Sequence, residues 1–162
     1  MPPLPRVRLE PLRADHAAAL FGWFADAGLY RYVDESPPPS HGWLRDRFST
    51  LAGGAPDGVD EVWLNWAVLD ERDVCVGTVQ ATIRSDAPTA IAYMVAAAHH
   101  GRGIGRAAVD RMLDLLVVEH GVAMVEAEID PGNDRSIRLV ESLGFVPVGT
   151  VRSDWRYVRR LA

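Results

Sequence analysis

The segment His99-His100-Gly101-Arg102-Gly103-Ile104-Gly105-Arg106 constrains how the rest of this chain must be arranged. Before it, residues 90–96 read as a strand; after it, residues 104–120 read as a long amphipathic helix. Where a strand stops at a glycine-rich turn and a helix opens, several backbone N–H groups stay unpaired and point one way. The positive end of the helix dipole stands behind them. Such a turn attracts anions, and pyrophosphate suits it. Ile104, Ala108, Met112 and Leu115 recur at spacings of four, four and three and mark the buried side of the helix, with Asp110 and Asp114 opposite. Gly121 is placed to stop it.

Working outward, residues 122–129 give another strand, Pro131-Gly132 a turn, and residues 133–143 a short helix closed by Gly144 with Phe145 packing back. Residues 145–151 and 155–161 end the chain as two strands. Upstream, residues 62–69 and 74–83 flank the polar turn Asp70-Glu71-Arg72-Asp73 and read as an antiparallel hairpin. Ser85-Asp86-Ala87-Pro88 turns the chain into the strand at 90–96. The N-terminal third holds a short strand around Val7, Leu9 and Leu12, a helix capped by Asp15 and running to about residue 27, and a helix capped by Ser40 and running through Leu51. The order β-α-α-β-β-β-α-β-α-β-β predicts an α/β chain, specifically an α+β mixed sheet with helices on both faces. Its strand–helix–strand unit at 90–129 is expected to be a parallel crossover.

At 162 residues the chain is expected to form one domain with a real hydrophobic core. A formal net charge of −5 argues against a general nucleic-acid binder, although Arg152, Arg156, Arg159 and Arg160 concentrate positive charge near the end. The lone Cys75, inside an apolar run, reads as a small buried side chain in a reducing compartment. No cluster has metal-ligand spacing, and no stretch reaches 18 apolar residues. A cytoplasmic protein with no membrane partner and no bound metal is the expectation.

The loop and the two segments downstream of it resemble the GNAT superfamily of acyl-CoA-dependent N-acyltransferases. His100-Gly101-Arg102-Gly103-Ile104-Gly105 is similar to that family's [Q/R]-x-x-G-x-[G/A] loop, with His in the first place. Asn133-Asp134-Arg135-Ser136 and Glu141-Ser142-Leu143-Gly144-Phe145 resemble the branch containing the ribosomal-protein N-terminal acetyltransferases, as does the opening Arg8-Leu9-Glu10-Pro11-Leu12-Arg13. The resemblance implies a mostly antiparallel central sheet with a splayed parallel pair. It also implies acetyl-CoA as acyl donor, a small-molecule or peptide amine as acceptor, and a possible homodimer. Tyr93, Met94 and Val95 would then pair with pantetheine as an added strand would. The amides from Gly101 through Arg106 would carry the pyrophosphate, and Gly101, Gly103 and Gly105 would leave room for close approach. Arg102 and Arg106 read either as phosphate ligands or as solvated helix-end residues. Asn133 reads as a helix N-cap, a cofactor contact, or both.

By the same resemblance Ser136 lies near the thioester sulfur, where its hydroxyl could protonate the leaving thiolate; a local first-turn hydrogen bond is the alternative. A backbone N–H of the splayed strand, that of Val95 or a neighbour, would serve as oxyanion donor. The branch often carries a glutamate just before the Gly-Tyr of this strand. Ala90-Ile91-Ala92-Tyr93 lacks both the acid and the glycine, which excludes a base there. Glu128, Asp130 and Asp86 remain open as bases, with a water relay as fallback. Asp34 and Glu35 are candidates for attracting a cationic amine, and Trp63, Trp66 and Trp155 for walling the pocket. Two other classes stay open: a non-catalytic acyl-CoA sensor, and an acylase acting on aminoacyl-tRNA, which the net charge disfavours.

Overall fold

Alternation along the hairpin strands, interrupted by one register shift, builds the centre of the sheet. In β2 (Glu61–Leu69), Trp66 and Val68 turn to one face while Ala67 and Leu69 turn to the other. In its partner β3 (Cys75–Arg84) Val79 and Ala81 turn to the first face, a register shift opposite Val68 and Leu69 brings Val76 to that face too, and Cys75 turns to the other. Asp70 closes the turn between the strands by accepting hydrogen bonds from the N–H groups of Arg72 and Val74. Because both faces are apolar, both must be covered by helices. The computed structural model describes residues 3–161. Its sheet has seven strands in the order β1-β2-β3-β4-β5-β7-β6, with β1 (Arg8–Pro11), β4 (Thr89–Val95), β5 (Met124–Ile129), β6 (Val146–Val151) and β7 (Asp154–Arg160). All neighbours are antiparallel except β4 and β5. The expected mixed sheet with one parallel pair and helices on both faces is what forms.

On one face α3 (Ile104–His120) and α4 (Asp134–Ser142) pack over Val68, Val79, Ala81, Ile91 and Val125. Met112 and Leu116, both without solvent exposure, are the largest helix side chains in that layer; each such burial contributes roughly 1.5–3 kcal/mol. On the other face α1 (Ala17–Phe24) and α2 (His41–Ala52) bring Leu20, Phe24, Leu44 and Phe48 onto Ala67, Leu69 and Cys75. Among the described residues no helix is long and apolar enough to cross a membrane.

Two local expectations are corrected. The first helix begins at Ala17, after a 3-10 turn at Ala14–His16, and Asp15 does not cap it. There the buried His16 ring accepts the Arg13 N–H at 2.9 Å and bonds Glu10 at 2.7 Å, so a side chain inside the turn replaces the predicted cap. The α3 stripe is as expected: Ile104, Ala108 and Met112 are buried and Leu115 packs half-buried on the same core, with Leu116 fully buried beside it. β5 starts at Met124: left-handed Gly121 lets the Val122 N–H reach back to the Leu116 carbonyl, which keeps Val122 in the helix closure.

Candidate active site

β4 and β5 are in register only at Thr89–Val125 and Ala90–Glu126. Beyond those two pairs the strands part, and a cleft of about 810 Å³ opens between them. Which backbone groups face it is set by the ladder on the other side of β4. The Ala96 N–H donates to the Val76 carbonyl, so N–H groups two residues apart in β4, including that of Met94, point toward β3. The N–H groups of Tyr93 and Val95 therefore point into the opening. So does the carbonyl of Tyr93, which leaves a short strand edge ready to pair with an extended, amide-bearing molecule.

The start of α3 borders the same cleft. Gly101 and Gly103 have φ of 77° and 78°, a left-handed backbone that favours glycine. The first bond at the helix start runs from the Ala107 N–H to the Gly103 carbonyl, so the amides of Ile104 and Gly105 precede the helix ladder and turn toward the cleft. Gly105 is small for another reason: a Cβ there would sit 3.1 Å from Leu139 Cδ1 and 3.6 Å from Val95 Cγ2, where α3 meets α4 and β4. Tyr93, Met94, Val95, His100, Gly101, Gly103, Ile104, Gly105, Arg106, Asn133 and Ser136 all line the cleft. Arg102 is not among the lining residues, and its guanidinium donates to His99 Nδ1 at 2.8 Å. Met94 and Ile104 offer backbone there, since their side chains pack into the two cores.

His100 has both ring nitrogens engaged. Its Nε2–H donates to the Val95 carbonyl at 2.6 Å, and its Nδ1 accepts from the Arg135 guanidinium. Burial lowers its pKa, only partly offset by the Val95 carbonyl, and the charge of Arg135 lowers it further. The ring is accordingly neutral near pH 7. Tyr93 and Ser136, 43 residues apart, meet hydroxyl to hydroxyl. Burial pushes the Tyr93 phenol up to about 12, so it keeps its proton. Asn133 caps α4 by accepting the Ser136 N–H at 3.3 Å, which sets that serine at the helix start facing the fork.

Of the three candidate bases, Asp130 accepts the Gly132 N–H at 2.8 Å and Asp86 lies outside the cleft lining. Glu128 lines the cleft, 41% exposed at the side chain, and among the described residues meets Arg152 at 3.9 Å, the limit of an ion pair. Val125, Ala127 and Ile129 turn toward α3, so Glu128 emerges on the opposite sheet face from the Tyr93–Ser136 pair. The Cys75 thiol is buried and pushed up to about 11 by that burial, which suits packing and not nucleophilic attack.

Other expectations do not reach the site. Asp34, Glu35, Trp63, Trp66 and Trp155 are absent from the cleft lining. Trp66 is buried in the core, Trp63 bonds Glu61, and Trp155 lies on β7. In their place the loop after α1 contributes Leu29, Arg31 and Tyr32. The Tyr32 ring lies against Gly132, where a Cβ would be 3.1 Å from Tyr32 Cε1. Arg135 and Arg138 of α4 also line the cleft; their spacing of three on one helix was a readable sign of a shared face.

Residues 6–146 match the family model described as an acetyltransferase (GNAT) domain. The uncharacterized N-acetyltransferase p20 of Bacillus licheniformis is 23% identical over 149 residues, 91% of this chain and 83% of that protein. The L-2,4-diaminobutyric acid acetyltransferase of Streptomyces coelicolor is 35% identical over 103 residues, 62% of this chain and 52% of that protein. In fold, the chain is similar to the Vibrio cholerae spermidine N-acetyltransferase solved with CoA and spermine, with a TM-score of 0.77 at 18% identity over 96% of this chain and 95% of that one.

Proposed function

This chain belongs to the GNAT acetyltransferase family, and from that premise we propose that it transfers the acetyl group of acetyl-CoA directly to a primary amine. The acceptor class is a small-molecule amine or the N-terminus of a peptide or protein; the similarity to the L-2,4-diaminobutyric acid acetyltransferase speaks for the first. The observation that carries the reading is the fork: two paired residues, then an open strand edge beside converging helix-start amides. These parts fit the donor. An open β edge suits the amides of pantetheine, the α3 start suits pyrophosphate, and the cleft volume of about 810 Å³ is ample.

Acetyl-CoA supplies an acyl group activated as a thioester. The residues supply position and proton management. The Val95 N–H is directed where the acyl oxygen gains charge as the amine adds. The Ser136 hydroxyl, held by Tyr93 and by the cap at Asn133, is placed to give a proton to the departing sulfur. Glu128, on the other sheet face, is placed to take a proton from the incoming ammonium, which must lose one before its nitrogen can attack. The second proton, which the nitrogen sheds as the adduct becomes an amide, replaces the one Ser136 gives to the thiolate, so the count closes and no acyl-enzyme is needed.

The test is release of free CoA thiol from acetyl-CoA with spermidine, L-2,4-diaminobutyric acid and an unblocked peptide as acceptors. Release with at least one is the expected result. Acetyl-CoA binding with no thiol release would leave a sensor in place of an enzyme, and no calorimetric heat with coenzyme A would remove the donor assignment. Glu128→Gln is expected to lower kcat/KM about a hundredfold near pH 7. That deficit should shrink as pH rises toward the amine's own pKa, where the acceptor deprotonates unaided. Ser136→Ala is expected to lower kcat about tenfold with coenzyme A affinity unchanged, since the thiolate can leave unprotonated at a cost.

A further inference from the structure

Two contacts determine where the Val95 amide sits. From the β3 side, Gly77 stands opposite Val95 in the ladder. A Cβ on Gly77 would lie 2.3 Å from the Met94 carbonyl oxygen, 3.2 Å from its carbon and 3.0 Å from Val95 Cα. All three atoms are backbone, so no side-chain rotation relieves the contact. Left-handed geometry is not the reason for glycine here, because Gly77 is absent from the positive-φ residues. The reason is close approach: β4 lies nearer to β3 at this point than any residue with a Cβ allows. From the open side, the His100 Nε2–H holds the Val95 carbonyl at 2.6 Å, and Arg135 orients the ring in turn. The backbone from Met94 to Ala96 is thus fixed from both sides, and the Val95 N–H lies between the two contacts.

We infer that Gly77 is a positioning residue for acyl transfer, setting together with His100 the place of the Val95 N–H in the fork. The inference rests on the acyl-transfer reading above. Neither side chain acts on reacting atoms in it. A methyl group at position 77 must push the Met94–Val95 peptide away from β3 by roughly an ångström to restore ordinary contact. An oxyanion donor tolerates little such movement, because its hydrogen bond must be right at the position the charged oxygen reaches. The loop amides at the α3 start belong to a different element and keep their place, so the pyrophosphate contacts survive while the β4 edge moves, and kcat falls further than coenzyme affinity.

The experiment compares wild type with Gly77→Ala, His100→Ala and His100→Gln. Gly77→Ala is expected to lower kcat about a hundredfold while the calorimetric Kd for coenzyme A, which loses part of the β4 edge but keeps the helix-start amides, weakens less than about tenfold and the KM for amine changes less than about threefold. Difference infrared spectra of bound acetyl-CoA, labelled with ¹³C at the acetyl carbonyl, give a readout that needs no turnover. In wild type the carbonyl band is expected below its free position, and in Gly77→Ala it returns toward that position. Should Gly77→Ala fail to fold, His100→Ala tests the same backbone from the other side. It is expected to lose the band shift, and His100→Gln, which keeps an N–H donor, to regain it. A wild type with no band shift overturns the inference. So does a Gly77→Ala enzyme with wild-type kcat and band position, which leaves the acyl-transfer reading intact. A wild type that neither binds acetyl-CoA nor releases thiol overturns both.

Discussion

Gly103→Trp is expected to abolish measurable coenzyme A binding. The sequence supplies one reason, room for a ligand, and the structure supplies a stronger one. Gly103 is the N-cap of α3 with φ 78°, a conformation that costs a residue with a Cβ about 1–2 kcal/mol. A Cβ there meets Pro5 Cδ at 3.3 Å and Cγ at 3.8 Å, so the indole runs into the N-terminal segment. The turn must swing to accommodate it, and the amides of Ile104, Gly105 and Arg106 swing with it. Hydrogen bonds to a charged group are worth about 1.5–3 kcal/mol each. Losing two of them weakens Kd by about two to four orders of magnitude. Calorimetry with coenzyme A reads this directly. The melting temperature should fall only a few degrees, because the turn lies at the surface. A Kd within a few-fold of wild type would show that the helix start does not hold the pyrophosphate.

That shift of reason, from space for a ligand to backbone geometry, illustrates what the sequence carries and what it does not. Short-range signals were readable because local physics writes them: the Asp70–Asp73 turn, the Ser40 cap, and Gly144 followed by Phe145 all appear where their residue types require. The parallel neighbourhood of β4 and β5 was readable from the helix between them. Its length was not, since only two residue pairs form and nothing in Ile91-Ala92-Tyr93 announces the parting. The cleft itself is made by distant partners. Tyr93 finds Ser136 on α4, Tyr32 covers Gly132, and His100 reaches both Val95 and Arg135. Each of those side chains has an ordinary local reading as loop, strand or helix residue, so one-dimensional pattern could not rank them. Periodicity placed Glu128 on a face, but choosing it over Asp130 required seeing the Gly132 N–H occupy the Asp130 carboxylate. Gly77, in the apolar run beside Cys75, reads in sequence as a strand glycine with no special duty. Only the distance to the neighbouring strand gives it one.

Glu126→Ala is expected to destabilise the fold by about 3 kcal/mol, the lower end for removing one partner of a buried ion pair. Glu126 is buried on β5, where its two carboxylate oxygens accept from Arg84 at the end of β3 and from Arg156 on β7. It therefore ties three strands together at the register position shared with Ala90, the last parallel pair before the fork. The two arginine side chains keep about a third of their surface in water, at 29% and 34%, which moderates the loss. Burial by itself would raise the Glu126 carboxyl pKa, but the hydrogen bonds from Arg156 and Arg84 outweigh it and hold the pKa below the usual carboxylate value. A carboxyl that titrates lower in the fold than in the open chain stabilises fully above the open-chain value of about 4.3. That contribution is lost as pH falls through the depressed native value. Denaturant titrations in steps between pH 6 and pH 2.5 should thus show wild-type stability dropping below about pH 4, more steeply than in Glu126→Gln, which lacks the titrating group. The same variant should weaken acetyl-CoA binding, because the strands that part at Ala90 are no longer pinned at their last common pair. If Glu126→Gln matched wild type in both acid sensitivity and coenzyme affinity, the ion cluster would be a surface ornament and the base of the fork would owe its geometry to the apolar core alone.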